Sequence, residues 1–468
     1  MTEHAGLAPD HGSGQAAAHT PAHYDVLVIG GGIHGAGVAQ AAAAAGYSVL
    51  VVEQGEVASG TSSRSSKLIH GGLRYLEHGQ YSLVRECLQE RALLLRLAPD
   101  LVQLRPFFIP VYADSSRSRF RVWAGLSLYA LLGGGGADTC FRSLPRREWS
   151  ALDGLKRDGL RAVFQYWDAQ TDDVQLTRAV MASAQKLGAR LQTQTTFCSA
   201  IRPPAATTTT TSPVADHWQV QTRCARTHTE TTCTAHSIVN AAGPWVNEVL
   251  ARVLPAIAAV DIALVQGTHL VLAGEASHGI YYLESPRDGR PVFVMPWHCA
   301  AEPATTGVSQ HSHSSLRSAI LLGTTETGFS GDPATVRPLA AEREYLLETY
   351  RHYFGDDAFG GDAFGHALAD DKGDPAGQTP PVVLDAFAGL RVLPAGGDAQ
   401  QGGHAARPRE TLLQPDRPGS PRLVSVYGGK LTTYRSTAHK VLQLLAASLP
   451  RRAPLADTRC LPLERVVD

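Results

Sequence analysis

Residues 24–37 read YDVLVIGGGIHGAG, and this stretch decides the fold. It begins with a short, mostly apolar run containing β-branched side chains, which is typical of a buried parallel strand. Three glycines with the spacing G-x-G-x-x-G follow at once, and residues 38–45 favour a helix. A second short strand over 48–52 ends at Glu53. This order predicts a βαβ unit that binds a dinucleotide, although a glycine-rich turn in another α/β protein would share the glycines.

The residues of this unit have different predicted tasks. Gly30 permits the tight turn, Gly32 lets a pyrophosphate approach the backbone, and Gly35 lets helix and strand pack closely. The helix N-terminus offers N–H groups and a positive dipole end to the phosphates. Glu53 would accept hydrogen bonds from a ribose and repel a 2′-phosphate. The predicted cofactor contacts here are Gly30, Gly32, Ile33, His34, Gly35 and Glu53.

The next stretch, residues 61–76, reads TSSRSSKLIHGGLRYL and separates the candidate dinucleotides. NAD-binding domains usually continue from the second strand into another simple helix, whereas this chain enters a hydroxyl-rich turn. We expect a flavin ring and a small anionic substrate to meet here, so FAD is the predicted cofactor. Its predicted contacts in this stretch are Thr61, Ser62, Ser63, Lys67, Leu68, His70, Gly71 and Gly72.

Two later turns also combine a strand end with small residues, NAAGPW at 240–245 and YGGKLTT at 427–433. Glycine at a strand end lets a ligand approach the backbone, although a plain strand-to-helix turn would also explain the first of them. The second resembles an anion cradle, but the spacing of a nucleotide P-loop is absent. The predicted cofactor contacts here are Ala242, Gly243, Trp245, Gly429, Lys430, Leu431 and Thr432.

Composition limits the class of protein. The chain has 468 residues, a formal net charge of -1 and a sequence pI near 7.0, which argues against nucleic-acid binding. Its seven scattered cysteines predict free thiols in a reducing compartment. The first 23 residues lack the pattern of a secretory signal and are predicted to be disordered. His311 and His313 have no companion ligands at useful spacing, so no metal site is expected.

Two other segments have more than one interpretation. Residues 117–132 begin with arginines and continue with Trp123 and an apolar run, which fits either a membrane-surface helix or a core helix. No apolar run reaches the ~20 residues needed to span a bilayer, so any membrane contact is expected to be peripheral. Asp172 and Asp173 precede a helical pattern and are predicted to cap that helix and complement its dipole.

Several segments together resemble the FAD-dependent, aerobic-type glycerol-3-phosphate dehydrogenases, within the D-amino-acid-oxidase-like flavoproteins. The matching pieces occur in family order; they are GGGIHGAG, SGTSSRSSKLIHGGLRYLEHG, NAAGPWV, QGTHLV, FVMPW, GTTETGFSGDP, AGLRVLP and VYGGKLTTYR. Members usually continue into a helical C-terminal domain, which we expect to be missing because the chain stops at Asp468. Loops at 203–213, 300–318 and 355–379 are expected to be insertions relative to the family.

The resemblance and the strand pattern imply an α/β fold, in which a discontinuous Rossmann-like FAD-binding domain carries an inserted antiparallel-sheet α+β substrate domain. The expected FAD-binding segments are 24–95, 165–262 and 385–447. The expected substrate domain comprises 96–164 and 263–384. The expected tails are 1–23 and 448–468.

The resemblance implies oxidation of sn-glycerol 3-phosphate to dihydroxyacetone phosphate, with hydride transfer to flavin N5 and electrons passed to a quinone. A dianionic phosphate needs converging cations, and the predicted substrate ligands are Arg74, Tyr75, Arg391 and Lys430. The predicted catalytic residues are His269, Arg391 and Lys430. His269 is preferred as the general base, with His70 as the alternative, and Arg391 could instead polarise the reacting oxygen.

Two other functions fit the sequence. One is a related flavin oxidase that oxidises an amine or a 2-hydroxy acid with O₂, and the other is a non-catalytic FAD-binding protein. A cytoplasmic location follows from the resemblance, with peripheral attachment to the inner membrane and a homodimer as further expectations.

Overall fold

The structure is a computed structural model that describes residues 21–203, 217–300, 316–355, 381–394 and 411–466. The first twenty residues of the predicted disordered segment lie outside the described residues. So do His311, His313 and most of the three predicted insertions.

The chain forms alternating strands and helices. The strands are β1 (Ala22–Ile29), β2 (Val49–Val52), β3 (Leu68–Ile69), β4 (Val102–Tyr112), β5 (Arg142–Ser143), β6 (Leu160–Thr171), β7 (Arg190–Gln192), β8 (Thr195–Ile201), β9 (Trp218–Cys224), β10 (Glu230–Asn240), β11 (Val253–Leu254), β12 (Ile262–Ala273), β13 (Ile280–Glu284), β14 (Pro291–Ala300), β15 (Leu316–Gly323), β16 (Thr327–Phe329), β17 (Val383–Pro394), β18 (Leu412–Pro415) and β19 (Leu423–Tyr427). The helices are α1 (Ile33–Ala44), α2 (Tyr81–Leu97), α3 (Arg119–Leu132), α4 (Asp173–Lys186), α5 (Val246–Leu250), α6 (Ala340–Tyr353) and α7 (Tyr434–Leu445).

The first sheet has the predicted Rossmann-like centre. Strands β7, β2, β1, β10 and β19 are parallel neighbours in that order. Antiparallel β9 pairs with the first half of β10, and β8 and β11 extend the sheet beyond it. Helices α1, α4 and α7 pack on one face in a core of small and branched apolar side chains. Because parallel strands end at a common edge, the turns after β1, β2, β10 and β19 lie together there.

The second sheet is mixed. Its order is β16-β12-β15-β14-β13-β4-β6-β3, with β17 paired along β12 and β5 paired with β6. Within the described part of the chain, its strand pairs are antiparallel except β4 with β13. The predicted α/β fold class is therefore confirmed, with one parallel pair in a sheet that was expected to be antiparallel.

Two of the predicted domain boundaries fall inside strands. Position 165 lies within β6 and position 385 lies within β17, and both strands belong to the second sheet. The register of β17 with β12 runs from Ile262↔Pro394 to Leu272↔Val383, so this pairing carries the chain well past 385 in the second sheet. The chain returns to the first sheet only after each of these long strands has ended. The remainder of the domain division stays a prediction.

The segment after α7 packs on the first sheet's helices, although it was expected to be a tail. The Leu455 N–H donates to Ala44 O, and the Leu463 N–H donates to Leu97 O, each at 2.7 Å. Arg452 donates to the buried Asp25 at 2.9 Å, and the Leu463 side chain is buried. Backbone hydrogen bonds to both α1 and α2 hold this segment in place.

Residues 81–97 carry apolar side chains at helical spacing, and helix α2 spans this range. Helix α3 buries Val122, Leu126 and Tyr129 as a core helix does, and it exposes Phe120 and Trp123. Contact with a membrane surface stays a prediction. Among the described residues, no helix has the length and apolarity that a membrane-spanning helix requires.

Candidate functional site

A cavity of about 480 Å³ lies where the carboxyl edge of the first sheet meets the second sheet. The turns after β1, β2, β10 and β19 line one side. Strands β12, β14 and β17 line the other side, together with the segment between β2 and α2. Its volume lies in the range of sites for small molecules and cofactors.

The glycine turn has the geometry that its sequence predicts. Gly30 has φ +106°, which favours glycine, and its N–H donates to Val52 O at 2.9 Å. A Cβ on Gly35 would lie 1.9 Å from Gly30 O, so the turn and the helix approach too closely for any side chain there. The Ile33 N–H donates to Ser62 Oγ at 2.9 Å, which connects the start of α1 to the hydroxyl-rich turn.

Glu53 is held by backbone N–H groups of the glycine turn and of its own turn. One carboxylate oxygen accepts from the Gly31 N–H at 2.5 Å, and the other accepts from the Gly55 N–H at 2.7 Å. The side chain lines the cavity and is buried. Two backbone donors therefore fix the orientation of the carboxylate that was predicted to bind a ribose.

Most of the predicted cofactor contacts line this cavity. They are Gly30, Gly32, Ile33, His34, Glu53, Thr61, Ser62, Leu68, His70, Gly72, Ala242, Gly243, Trp245, Gly429, Lys430, Leu431 and Thr432. Gly35, Ser63, Lys67 and Gly71 lie outside the lining. The Gly71 N–H donates to Tyr129 Oη at 2.9 Å, so this glycine is tied to α3 behind the cavity wall.

Lys67 is buried behind the wall and pairs with Asp173. Its ammonium also donates to Ser63 O at 2.6 Å and lies 5.3 Å from the centre of the Phe387 ring. Asp173 Oδ2 accepts from the Ser65 N–H at 3.0 Å and from Ser65 Oγ at 2.6 Å. Lys67 and Ser63 therefore hold the 61–67 turn in place, where direct contact with the flavin had been predicted.

The two aspartates before α4 have different roles. Asp172 caps the helix as predicted, because its Oδ1 accepts from the N–H groups of Val174 and Gln175 at 2.9 and 3.1 Å. Asp173 was expected to complement the helix dipole, but its carboxylate turns to Lys67 and Ser65 and is fully buried. Burial raises the pKa of Asp173, and Lys67 opposes that rise.

His269 lies on β12 and lines the cavity. Its Nε2 is 3.0 Å from Ser66 Oγ, its ring stacks on Phe387 at 5.0 Å, and its Nδ1 has no partner among the described residues. Burial lowers the pKa of His269 well below its usual value, and the cations Arg391 and Lys67 lower it further. The imidazole is therefore neutral and can accept a proton.

The predicted substrate ligands come from three segments and line the same cavity. Lys430 lies 3.6 Å from the centre of the Tyr75 ring, a cation–π contact between residues far apart in sequence. Arg391 donates to Thr324 Oγ1 at 3.3 Å and lies against Gly267, where a Cβ would be 2.9 Å from Nη2. Arg74 lines the cavity beside Tyr75.

Several lining residues were not predicted. Arg64, Ser66, Thr324 and Thr325 lie within segments that carry the family resemblance, so their segments were visible but their orientation was not. Arg290 belongs to none of those segments, and its Nη1 donates to Glu326 O at 2.9 Å. No sequence signal indicated Arg290.

Family comparison agrees with this geometry. The profile of the family described as FAD dependent oxidoreductase matches residues 25–429. The chain belongs to the FAD-dependent oxidoreductases. FAD is its cofactor, and the family resemblance seen in the sequence motifs is confirmed.

Individual relatives are similar over most of the chain. It is 34% identical to a glycerol-3-phosphate dehydrogenase of Pseudomonas aeruginosa, covering 92% of this chain and 73% of that protein. It is 32% identical to a D-erythritol 1-phosphate dehydrogenase of Brucella abortus, covering 92% and 75%. A solved glycerol-3-phosphate dehydrogenase of Bacillus halodurans, complexed with FAD, has a TM-score of 0.63 at 24% identity, covering 94% and 68%.

The cavity of this FAD-dependent oxidoreductase fits the cofactor. His34 lines it and has a buried Nδ1 without a partner among the described residues. Burial lowers the pKa of His34 to about 4, so the ring is neutral. A Cβ on Gly429 would lie 2.1 Å from His34 Nε2, and Gly429 has φ +104°. The close approach and the unpartnered nitrogen both point to a ligand that contacts the two turns together.

Asp173→Asn is expected to loosen the 61–67 turn, because it leaves the buried Lys67 ammonium without a counter-charge. Breaking a buried pair in this way costs about 3–5 kcal/mol of the free energy of unfolding. Because the turn lines the cofactor cavity, the dissociation constant of FAD should also rise. Denaturant unfolding and the fluorescence of released flavin measure the two effects.

Asp172→Asn is the matched control, because asparagine caps helices about as well as aspartate. It should change neither quantity appreciably. Equal behaviour of the two variants would contradict the role given to Asp173.

Proposed function

We propose that this FAD-dependent oxidoreductase oxidises sn-glycerol 3-phosphate at C2 to dihydroxyacetone phosphate. The observation that carries the proposal is the arrangement of Arg74, Arg391, Lys430 and a neutral His269 around one cavity beside the dinucleotide turn. The names of the two enzymatic relatives agree that a polyol phosphate is the substrate class.

The three cations would bind the substrate phosphate, which carries about −1.5 to −2 charges at pH 7. Guanidinium groups suit this task because their planar donors contact phosphate oxygens in pairs. The Lys430 ammonium lies over the Tyr75 ring, and this cation–π contact positions it before substrate binds. Glycine at 267 leaves room for the Arg391 guanidinium at the cavity wall.

FAD, when bound, supplies the acceptor for the hydride that leaves C2, at flavin N5. His269 would take the C2 hydroxyl proton through one of its ring nitrogens, so one proton and one hydride leave the alcohol to give the ketone. Arg391, in electrostatic contact with His269, would stabilise the negative charge that develops on the C2 oxygen. Electrons would then pass to a quinone.

D-Erythritol 1-phosphate is the second candidate substrate. The relative from Brucella abortus carries this name at an identity close to that of the glycerol-3-phosphate dehydrogenases. Both substrates present a phosphate and a secondary hydroxyl, so the same cations and the same base could serve either. The two substrates differ in the length of the polyol. Arg290 lines the cavity wall and could contact the longer polyol.

Anaerobic addition of glycerol 3-phosphate to the purified holoprotein is expected to bleach the visible absorbance of the flavin. Glycerol without phosphate should bleach it far more slowly, because it offers the three cations no charge. D-Erythritol 1-phosphate, tested in parallel, distinguishes the two polyol phosphates by their reduction rates. Flavin that no polyol phosphate reduces would contradict the proposal, and reduction by an amine or 2-hydroxy acid with peroxide release in air would favour an oxidase.

His269→Gln is expected to lower kcat by about 10²–10⁴-fold, the usual contribution of a general base. In the wild type, the acid limb of kcat/KM that belongs to His269 should lie below the usual range of histidine, because burial and cations lower the pKa of free His269. The bound phosphate offsets the charge of Arg391, so the corresponding limb of kcat should lie at higher pH.

His278→Gln is the control for this variant, because His278 is exposed and bonded to Asp153 outside the cavity. It should leave both pH profiles unchanged. An unchanged acid limb of kcat in His269→Gln would assign the base to another residue, with His70 next to be tested.

We also propose that α3 docks on an anionic membrane surface where the quinone is reached. Phe120 is 72% exposed and Trp123 is 50% exposed, and their rings stack at 6.1 Å. Arg119 and Arg121 lie on the same helix. Arg121 is 3.5 Å from Glu77, and Arg117 is paired with both Glu77 and Glu284. The homodimer stays a prediction.

Replacing Phe120 and Trp123 together by serine is expected to reduce co-flotation with anionic vesicles several-fold, because it removes the exposed aromatic pair. Arg119→Gln with Arg121→Gln should also weaken binding, and more strongly at low salt. Leu455→Ser is the control, because Leu455 is an exposed apolar residue at a different place. Wild-type protein that fails to float would contradict docking while leaving the oxidation untouched.

A further inference from the structure

Three histidines meet on the first sheet, at the edge opposite the cofactor cavity. His23 lies near the start of β1, His236 lies on β10, and His217 directly precedes β9. The register brings them together, because His23 pairs with Thr234 on the neighbouring strand and Ala235 pairs with Trp218. Continuing these pairings by one residue places His236 beside His217 and on the same face as His23.

The imidazoles are close enough to share one ion. The ring centres of His217 and His236 are 4.2 Å apart, and that of His23 lies 4.6 and 4.8 Å from them. One nitrogen from each ring can be chosen so that all three lie within 4.8 Å of one another. Tetrahedral Zn–N bonds of about 2.0–2.1 Å place ligand nitrogens about 3.4 Å apart. Small side-chain rotations would bring the three nitrogens to that spacing.

The hydrogen bonds of the cluster suit ligation. His23 Nδ1 lies 2.9 Å from Thr234 Oγ1, and donation by this nitrogen leaves the lone pair of Nε2 for a metal. Metal-binding histidines commonly donate their second nitrogen to an oxygen in this manner. His236 Nδ1 is buried and has no partner among the described residues.

Nearby charged groups are already engaged. Asp25 falls opposite His236 in the register, but its carboxylate binds Arg452 at 2.9 Å and the Ser48 N–H at 2.9 Å. The Arg422 guanidinium donates to His236 O at 3.5 Å. Among the described residues, the candidate donor set is therefore three imidazoles.

We propose that His23, His217 and His236 bind one divalent transition-metal ion of the zinc class. Neutral imidazole nitrogens suit Zn²⁺ and its neighbours, and they disfavour Mg²⁺ and Ca²⁺, which prefer oxygen. The ion would join β1 to β9 and β10 at the end of the sheet remote from the flavin. His23 and Gly30 are separated by the length of β1, which is about 20 Å at ~3.3 Å per residue. The site is thus separate from the flavin cavity, and it does not depend on the proposed oxidation.

Zinc titration of the full-length holoprotein, without an affinity tag and after removal of metals, tests the proposal. Isothermal titration calorimetry should show one equivalent of Zn²⁺ bound, and zinc should raise Tm. His23→Gln and His236→Gln should each weaken zinc binding by at least about tenfold. Thr234→Val, which removes only the acceptor for His23, should weaken it by about 10–100-fold. X-ray absorption at the zinc edge should show imidazole ligands at about 2.0 Å.

Controls separate this site from other histidines. A variant with His4, His11 and His19 changed to Gln should retain the tight equivalent, and His439→Gln should do the same. Circular dichroism and flavin content show whether each variant is folded. Zinc binding that survives His23→Gln and His236→Gln, or that is lost with the N-terminal histidines, would overturn the assignment. So would the absence of any tight equivalent in the wild type.

Discussion

The buried ion pair of Lys67 and Asp173 is the contact on which the cavity depends. Asp173 begins α4, which packs against the first sheet, whereas Lys67 directly precedes β3 of the second sheet. The pair therefore joins the two sheets behind the hydroxyl-rich turn, on the side away from the cavity. Its charges are sheltered by Trp297 and Phe387, so water does not screen them. The 61–67 turn must present hydroxyls and backbone to a large cofactor. The ion pair holds it on the side away from the cavity, so its cavity side remains available for the cofactor.

Burial determines the charge states of the groups in the cavity as much as their direct contacts do. His34 and His269 are kept neutral because both are desolvated, and in the case of His269 because two cations are near. Arg74, Arg391 and Lys430 bring positive charge to the same cavity. A neutral imidazole in the cavity can take a proton, and the cations beside it can stabilise negative charge. This division agrees with the oxidation of a phosphorylated alcohol.

The sequence predicted the parts of the fold that are encoded locally. The bounds of α2, the glycine turn and the cap at Asp172 each follow from a short window of residues. The pairing of Asp173 with Lys67 could not be predicted, because the partners are 106 positions apart and burial decides between cap and ion pair. Positions 165 and 385, where domain boundaries were predicted, lie inside β6 and β17, and the extent of these strands depends on partners distant in sequence. The histidine cluster depends on the register of three strands, which the sequence does not reveal.

The pairing of β12 with β17 has a consequence for the order in which the protein matures. These strands bring residues 262–273 against residues 383–394, and the last cation, Lys430, follows later still. During synthesis, the glycine turn leaves the ribosome hundreds of residues before the opposite wall of the cavity exists. Contacts of such long sequence separation form slowly, since a large loop must close first. For most of its translation, a nascent chain therefore has only the glycine-turn side of the nucleotide site. We expect flavin to bind only when folding is complete.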